Sequence, residues 1–434
     1  MSEKLNICLL NDSFPPLIDG VANTVQNYAK ILTENGDNAV VVVPDCPGAV
    51  DNYPYDVVRY PSAPTTKLVG YRAGYPFSAS TLDKLEEQKF DVIHTHCPFM
   101  SAVLARTLRE RVDAPIIFTY HTKFDIEIKR IVKTDLLKDR IVKSIVKNIS
   151  ACDEVWAVSE GAADNLRDLG YKGEIVVMGN GVDFPYGAAS SELVDKIASD
   201  LNIDRENPIY LFVGRLRWYK GIREILDGLS GLAKDGRDFT MIFIGDGEDK
   251  EEMESYASTV GVADKCKFIG SVHDRELLRG YYTLADLFIF PSSYDTFGLV
   301  VREAAACGTA SMLVRGSCAA ECAINNVDCF LIEETGNSIY NKLRDVGFNK
   351  DLLKLVGDNA QRNLYTSWKD SVTLARERYE HVIKKYKEGH TNRKFDWTDE
   401  IFDTMEEICD KVTWMRNQRD KIISIGKDIK DSIL

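Results

Sequence analysis

The chain has no apolar run of 18 or more residues among its 434, so nothing in it reads as a membrane-spanning helix. Its start, MSEKLNICLLNDSFPP, lacks the basic segment, long apolar run and small-residue cleavage site of a secretory leader. Cytoplasmic placement is therefore the expectation. The ten cysteines form no Cys-x-x-Cys pair, which fits reduced thiols rather than a disulfide framework. Cys307, Cys318, Cys322 and Cys329 lie close together, but their spacing is poor for a metal site, and small buried packing thiols are expected instead. No G-x-x-x-x-G-K-[ST] occurs, and no G-x-G-x-x-G follows the first apolar run, so the Walker-type and nicotinamide-dinucleotide readings both drop. A net charge of −13 argues against nucleic acid as a general partner. No repeat of 20–50 residues and no low-complexity tract is present.

What the chain does have is alternation. LNICLL (5–10), NAVVVVP (38–44), DVIHTH (91–96), PIIFTYH (115–121), EVWAVS (154–159) and EIVVMGN (174–180) are continuous apolar runs, as expected of parallel strands covered on both faces. Between the first two, residues 21–36 put Val21, Val25, Tyr28 and Leu32 on one helical face and end on Gly36. A second series begins near residue 208: PIYLFVG, FTMIFIG, CKFIGSV, LFIFPSS, ASMLVRG and CFLIEE. The expected fold is α/β, with two doubly wound Rossmann-like domains facing across a cleft and helices at the C-terminus. The expected boundaries are 1–185, 186–370, a helix at 371–389 returning to the first domain, and a helical extension at 390–434. A hinge is expected near 184–208. In the extension Ile401, Met405, Ile408, Val412 and Met415 make a heptad-like seam, expected either to dock on the body or, the favoured reading, to pair with a second copy.

Ligands of open α/β sheets sit beyond the carboxyl ends of the strands. After the first strand, Gly20 opens a helix whose amides can meet an anion. After IYLFVG come Arg215 and Lys220, two cations just before a helix, a pairing suited to a diphosphate. Gly245 and Gly247 in GDGED permit a tight turn. After LFIF the stretch PSSYDTFGLVVREAAACG places Asp295 before a helix start and Glu303 beyond it. The amides of Gly298, Leu299 and Val300 are donors at the positive end of that helix, suited to phosphate. One acid on each side of a bound diphosphate fits a nucleotide-sugar, with its hexose on one side and its ribose on the other.

Taken in order, FPPLIDGVANTV, DVIHTHCPF, FTYHTKFD, VSEGAADNLRDLG, NGVD, FVGRLRWYKG, IGDGE and ADLFIFPSSYDTFGLVVREAAACGT resemble the retaining glycosyltransferases of family 4, the group that includes glycogen-synthase-like and glycolipid enzymes with the GT-B fold. The resemblance spans roughly residues 5 to 388. It implies that Arg215 and Lys220 bind the donor diphosphate, Asp295 the hexose and Glu303 the ribose. Gly20 would lie near the donor phosphate and acceptor, and His121 near the transferred sugar. Gly245, Val272, Phe297, Gly298, Leu299 and Val300 complete the implied donor site. His94 and His96 read as structural or acceptor-side. Two positions depart from the family: the first acid is Asp295 rather than Glu, which bears on the donor hexose, and the family's Asp-Gly near the end of the second domain reads Val327-Asp328-Cys329.

No Asp-x-Asp triplet is present, so cations and helix amides rather than a bridging metal are expected to neutralise the diphosphate, and no cofactor is expected. The implied reaction is retaining hexosyl transfer from a nucleotide-sugar, UDP-glucose or a similar UDP-hexose foremost. Residues 123–147 carry eight cations (Lys123, Lys129, Arg130, Lys133, Lys138, Arg140, Lys143, Lys147) against Asp125, Glu127, Asp135 and Asp139, interleaved with apolar residues at helical spacing. Such a segment suits an anionic membrane surface, and hence a lipid acceptor such as diacylglycerol. A soluble sugar or polyol acceptor, a sugar-nucleotide epimerase or phosphorylase of the same fold, and a non-catalytic sugar-nucleotide binder stay open at this stage.

Overall fold

The computed structural model describes residues 3–17, 19–65, 72–125, 128 and 134–389. The heptad-like seam of residues 401–415, and Lys129, Arg130 and Lys133 of the basic segment, lie outside the described residues.

Two compact units emerge. The first comprises Met1–Ala157, Ala163–Val177 and the chain from Val372; the second comprises Val158–Ala162 and Met178–Ser371. The first holds β1 (Asn6–Leu10), β2 (Asn38–Pro44), β3 (Asp56–Tyr60), a two-stranded ribbon of β4 (Ser62–Ala63) and β5 (Ala73–Gly74), then β6 (Val92–Thr95), β7 (Ile116–Tyr120), β8 (Glu154–Ala157) and β9 (Ile175–Val177). Apart from the ribbon these form one parallel sheet in the order β3-β2-β1-β6-β7-β8-β9. The second unit holds β10 (Ile209–Val213), β11 (Thr240–Ile244), β12 (Cys266–Gly270), β13 (Leu287–Phe290), β14 (Ala310–Val314) and β15 (Phe330–Ile332), parallel throughout in the order β12-β11-β10-β13-β14-β15.

The apolar runs became strands because helices cover both faces. Ile7, Cys8, Leu9 and Leu10 are all buried, as are Val40 to Val43 and Ile209 to Val213. β3 was not foreseen. It is a half-buried edge strand whose Arg59 pairs with Asp51 at 2.7 Å, so its apolar signal is short and interrupted. The first helix runs Gly20–Glu34 and buries Val25, Tyr28 and Leu32, while Val21 is half-buried. Of the four clustered cysteines, Cys307, Cys318 and Cys329 are buried as expected. Cys322 is exposed instead, in a turn at φ 64°.

In both sheets the chain reverses its direction of winding at one place, between β1 and β6 and between β10 and β13. Crossover helices leave on opposite faces there, so the loops beyond the carboxyl ends splay apart and open a crevice. In the second unit those loops are 214–221 and 291–298, which carry Arg215, Lys220 and Asp295.

Candidate functional site

Lys220 reaches the end of the neighbouring strand because a glycine follows it. Trp218–Lys220 form one 3-10 turn, and Gly221 takes φ 78°. A Cβ on Gly221 would stand 2.4 Å from the carbonyl oxygen of Pro291, so only glycine lets this turn lie directly on the end of β13. The rings of Tyr219 and Tyr294 meet edge to face at 5.3 Å and join the two loops. With the turn held there, Lys220 Nζ donates to both carboxylate oxygens of Asp295, at 2.8 and 2.9 Å. The fully buried Ser292 hydroxyl donates to Asp295 Oδ2 at 2.6 Å. Arg215 is exposed, and its guanidinium has no side-chain partner among the described residues.

The glycines of GDGED act one strand over. A Cβ on Gly245 would stand 1.9 Å from the carbonyl oxygen of Gly214, and one on Gly247 2.1 Å from that of Leu216. Their bareness lets the loop after β11 pack against the loop that carries Arg215. Val272, just past β12, is half-buried against the core of this unit.

The helix Leu299–Ala306 begins beside Asp295. Gly298 precedes it in the left-handed region, at φ 72°, and no side chain caps the helix. No acid stands in its first turn either, so the helix's own residues do not compensate its positive end. Phe297 is half-buried, and the Arg302 guanidinium lies 5.4 Å from its ring centroid. Glu303 is buried at the next turn. Arg275 Nη2 donates to its Oε1 at 2.7 Å, and the Tyr282 hydroxyl donates to its Oε2 at 3.0 Å. Burial raises the Glu303 carboxyl above its ordinary range, while Arg275 and the Tyr282 hydrogen bond pull it back down.

Gly20 and His121 belong to the first unit. Gly20 is the first residue of its helix, and nothing lies within 4 Å of where its Cβ would be. Asp19 already accepts the amide of Ala22 at 2.7 Å, so part of this helix end is capped from within. His121, at the end of β7, shares a 2.9 Å hydrogen bond with His96 Nδ1, and the two rings stack. Burial drives the His121 imidazole down to about 3, so it is neutral. His94 is bonded at both nitrogens, to Tyr379 and to Thr119, each at 2.7 Å, which makes it structural.

The structure thus brings Lys220 and Asp295 into contact and places Glu303 one helical turn beyond. Sequence reasoning missed Ser292, Arg275 and Tyr282. Arg275 was within reach: the rule of reading residues just after each strand leads through Val272 to it.

Comparison with known families matches residues 18–184 to Glycosyltransferase Family 4 and residues 194–363 to Glycosyl transferases group 1. An alpha-monoglucosyldiacylglycerol synthase of Streptococcus pneumoniae is 26% identical over 310 residues, 70% of each chain. A GDP-mannose-dependent alpha-mannosyltransferase of Corynebacterium glutamicum is 28% identical over 313 residues, covering 70% of this chain and 71% of the relative. The crystal structure of Anabaena HepE in complex with UDP superposes with a TM-score of 0.68 at 19% identity, over 88% of this chain and 100% of that one.

Proposed function

The chain belongs to the family 4 glycosyltransferases, nucleotide-sugar-dependent enzymes with the GT-B fold, and we propose that it moves a hexose from a UDP-hexose, glucose foremost, to a lipid at an anionic membrane surface with retention at the anomeric carbon. The observation that carries this reading is that adjacent strand ends carry the Lys220 ammonium, held on Asp295, and an uncapped helix start at Gly298. As the bond from the anomeric carbon to the β-phosphate oxygen breaks, negative charge gathers on the departing diphosphate. Arg215, Lys220 and the amides of Leu299 and Val300 stabilise that charge. The acceptor oxygen bonds the same carbon from the same face, and its proton passes to the departing phosphate oxygen. Asp295 takes hexose hydroxyls and Glu303 takes the ribose. His121, held neutral, is suited to hydrogen bonding rather than to acting as a cation or the main base.

Two observations support a lipid acceptor. One is the resemblance to a relative named for diacylglycerol. The other is the helix Asp135–Ser150, which exposes Leu136 and Leu137 on the same face as Arg140 and Lys143. Apolar side chains beside cations suit the headgroup boundary of an anionic bilayer. No described helix is long and apolar enough to cross a membrane.

The test offers UDP-glucose, UDP-galactose and GDP-mannose to the purified chain with diacylglycerol in anionic vesicles, and in parallel with soluble sugars and polyols. The expected result is release of UDP and a lipid-linked hexose, undiminished by a strong chelator. The chain should co-sediment with anionic vesicles, release as salt rises, and lose that binding when Arg140 and Lys143 become Glu. Transfer to a soluble acceptor alone would overturn the lipid reading. Inversion at C2 of the sugar, or phosphate-dependent cleavage, would overturn the transferase reading.

A further inference from the structure

Asp274 fixes where the helix Arg275–Leu284 begins, because its Oδ1 accepts the amides of Glu276 and Leu277 at 2.9 and 3.0 Å. Arg275 is therefore the first helical residue, and Tyr282 lies seven positions on, two turns along the same face. That face meets Glu303. The two side chains divide its carboxylate between them, Arg275 at Oε1 and Tyr282 at Oε2. The guanidinium is itself held from the other side, 4.4 Å from the Phe184 ring centroid and 3.9 Å from Asp183 Oδ2. Tyr282 is fully buried and cannot swing away.

We infer that Arg275 and Tyr282 are positioning residues that fix the plane of the Glu303 carboxylate so that it reads both ribose hydroxyls, which makes the chain select ribonucleotides over 2′-deoxyribonucleotides. The inference rests on the ribose assignment proposed above. An ionised carboxylate has about four acceptor sites, two per oxygen. With one protein donor on each oxygen, one site per oxygen is left, both in the carboxylate plane. A vicinal cis-diol presents two O–H groups at matching spacing. A nucleotide without the 2′-hydroxyl satisfies only one site and leaves a buried anion short of a donor, which is how a polar site rejects an analogue lacking one group. A carboxylate free to rotate would settle on the single remaining hydroxyl and discriminate less.

The test is calorimetric titration of the full chain with UDP, GDP and their 2′-deoxy counterparts. The wild-type chain is expected to prefer the ribose form of its nucleotide by roughly tenfold or more. Tyr282→Phe and Arg275→Gln should each shrink that ratio by roughly three- to tenfold, and Arg275→Lys, which keeps the charge but not the planar fork, should fall in between. A variant that was merely less stable would weaken both nucleotides alike and leave the ratio intact. Should Arg275→Gln not fold, Tyr282→Phe and Arg275→Lys carry the test. Wild-type ratios in these variants, or no ribose preference in the wild-type chain, would overturn the inference alone. Failure of the wild-type chain to bind either ribonucleotide would overturn the donor-site reading as well.

Discussion

Lys220 holds both carboxylate oxygens of Asp295, at 2.8 and 2.9 Å, so the cation assigned to the leaving diphosphate is already neutralised by the acid assigned to the hexose. Donor binding must share that ammonium between carboxylate and phosphate. Lys220→Ala is expected to cost about 2–4 kcal/mol of transition-state stabilisation, the scale of losing one preorganised donor. Asp295→Asn removes the competing charge at constant size, so UDP should bind more tightly while turnover falls. Calorimetry and initial rates check the two signs. Weaker UDP binding in Asp295→Asn would mean that the acid orients the lysine more than it competes with the phosphate.

Asp295→Glu tests the family's residue in this pocket. The carboxylate is already gripped directly by Lys220 and by the buried Ser292, so an added methylene has to displace one of these contacts. Losing the Ser292 bond to a charged group costs about 1.5–3 kcal/mol, and kcat/KM should drop accordingly. Full activity of Asp295→Glu alone would show that the loop gives way easily.

Gly221→Ala should damage both stability and the site. Its φ of 78° already strains an L-residue, and the new methyl would meet the Pro291 carbonyl oxygen at 2.4 Å. Gly236→Ala is the control, with φ 73° but nothing within 4 Å. Both should lose about 1–3 kcal/mol of stability from the backbone. Only Gly221→Ala should also raise the donor KM, because the turn that carries Lys220 must lift off β13. Urea denaturation and steady-state kinetics separate the two effects, and an unchanged donor KM in Gly221→Ala would show that Lys220 does not depend on this turn.

Both sheets were legible because parallel strands buried on two faces announce themselves as unbroken apolar runs, and residues at their carboxyl ends can be read directly. Lys220, Asp295 and the helix start at Gly298 were found this way. The edge strand Asp56–Tyr60 was lost for the opposite reason, since half its surface faces solvent and its arginine interrupts the pattern. The Lys220–Asp295 contact spans 75 positions and the Arg275–Glu303 contact 28, and no local spacing encodes either. Ser292 stood inside the stretch singled out in the sequence, yet only the burial of its hydroxyl shows that it faces Asp295.

The three histidines at the ends of β6 and β7 should make the first unit acid-sensitive. His94, His96 and His121 are buried, and burial lowers all three below the ordinary imidazole value, with neighbouring rings adding to the effect at His94 and His96. The unfolded chain titrates these groups near pH ~6.5. Below that pH the unfolded state binds more protons than the folded one, so stability falls as pH falls and stays constant above about 7. Each group contributes at most about 1.4 kcal/mol per pH unit between pH ~6 and ~5, reached only while it stays neutral in the folded chain. His96→Phe is the informative variant, because His96 Nε2 is buried with no hydrogen-bond partner among the described residues. It should lower the slope while costing the 2.9 Å bond to His121. Urea denaturation from pH 8 to pH 5 measures both, and a slope unchanged by His96→Phe would mean that this imidazole takes up its proton in the folded chain.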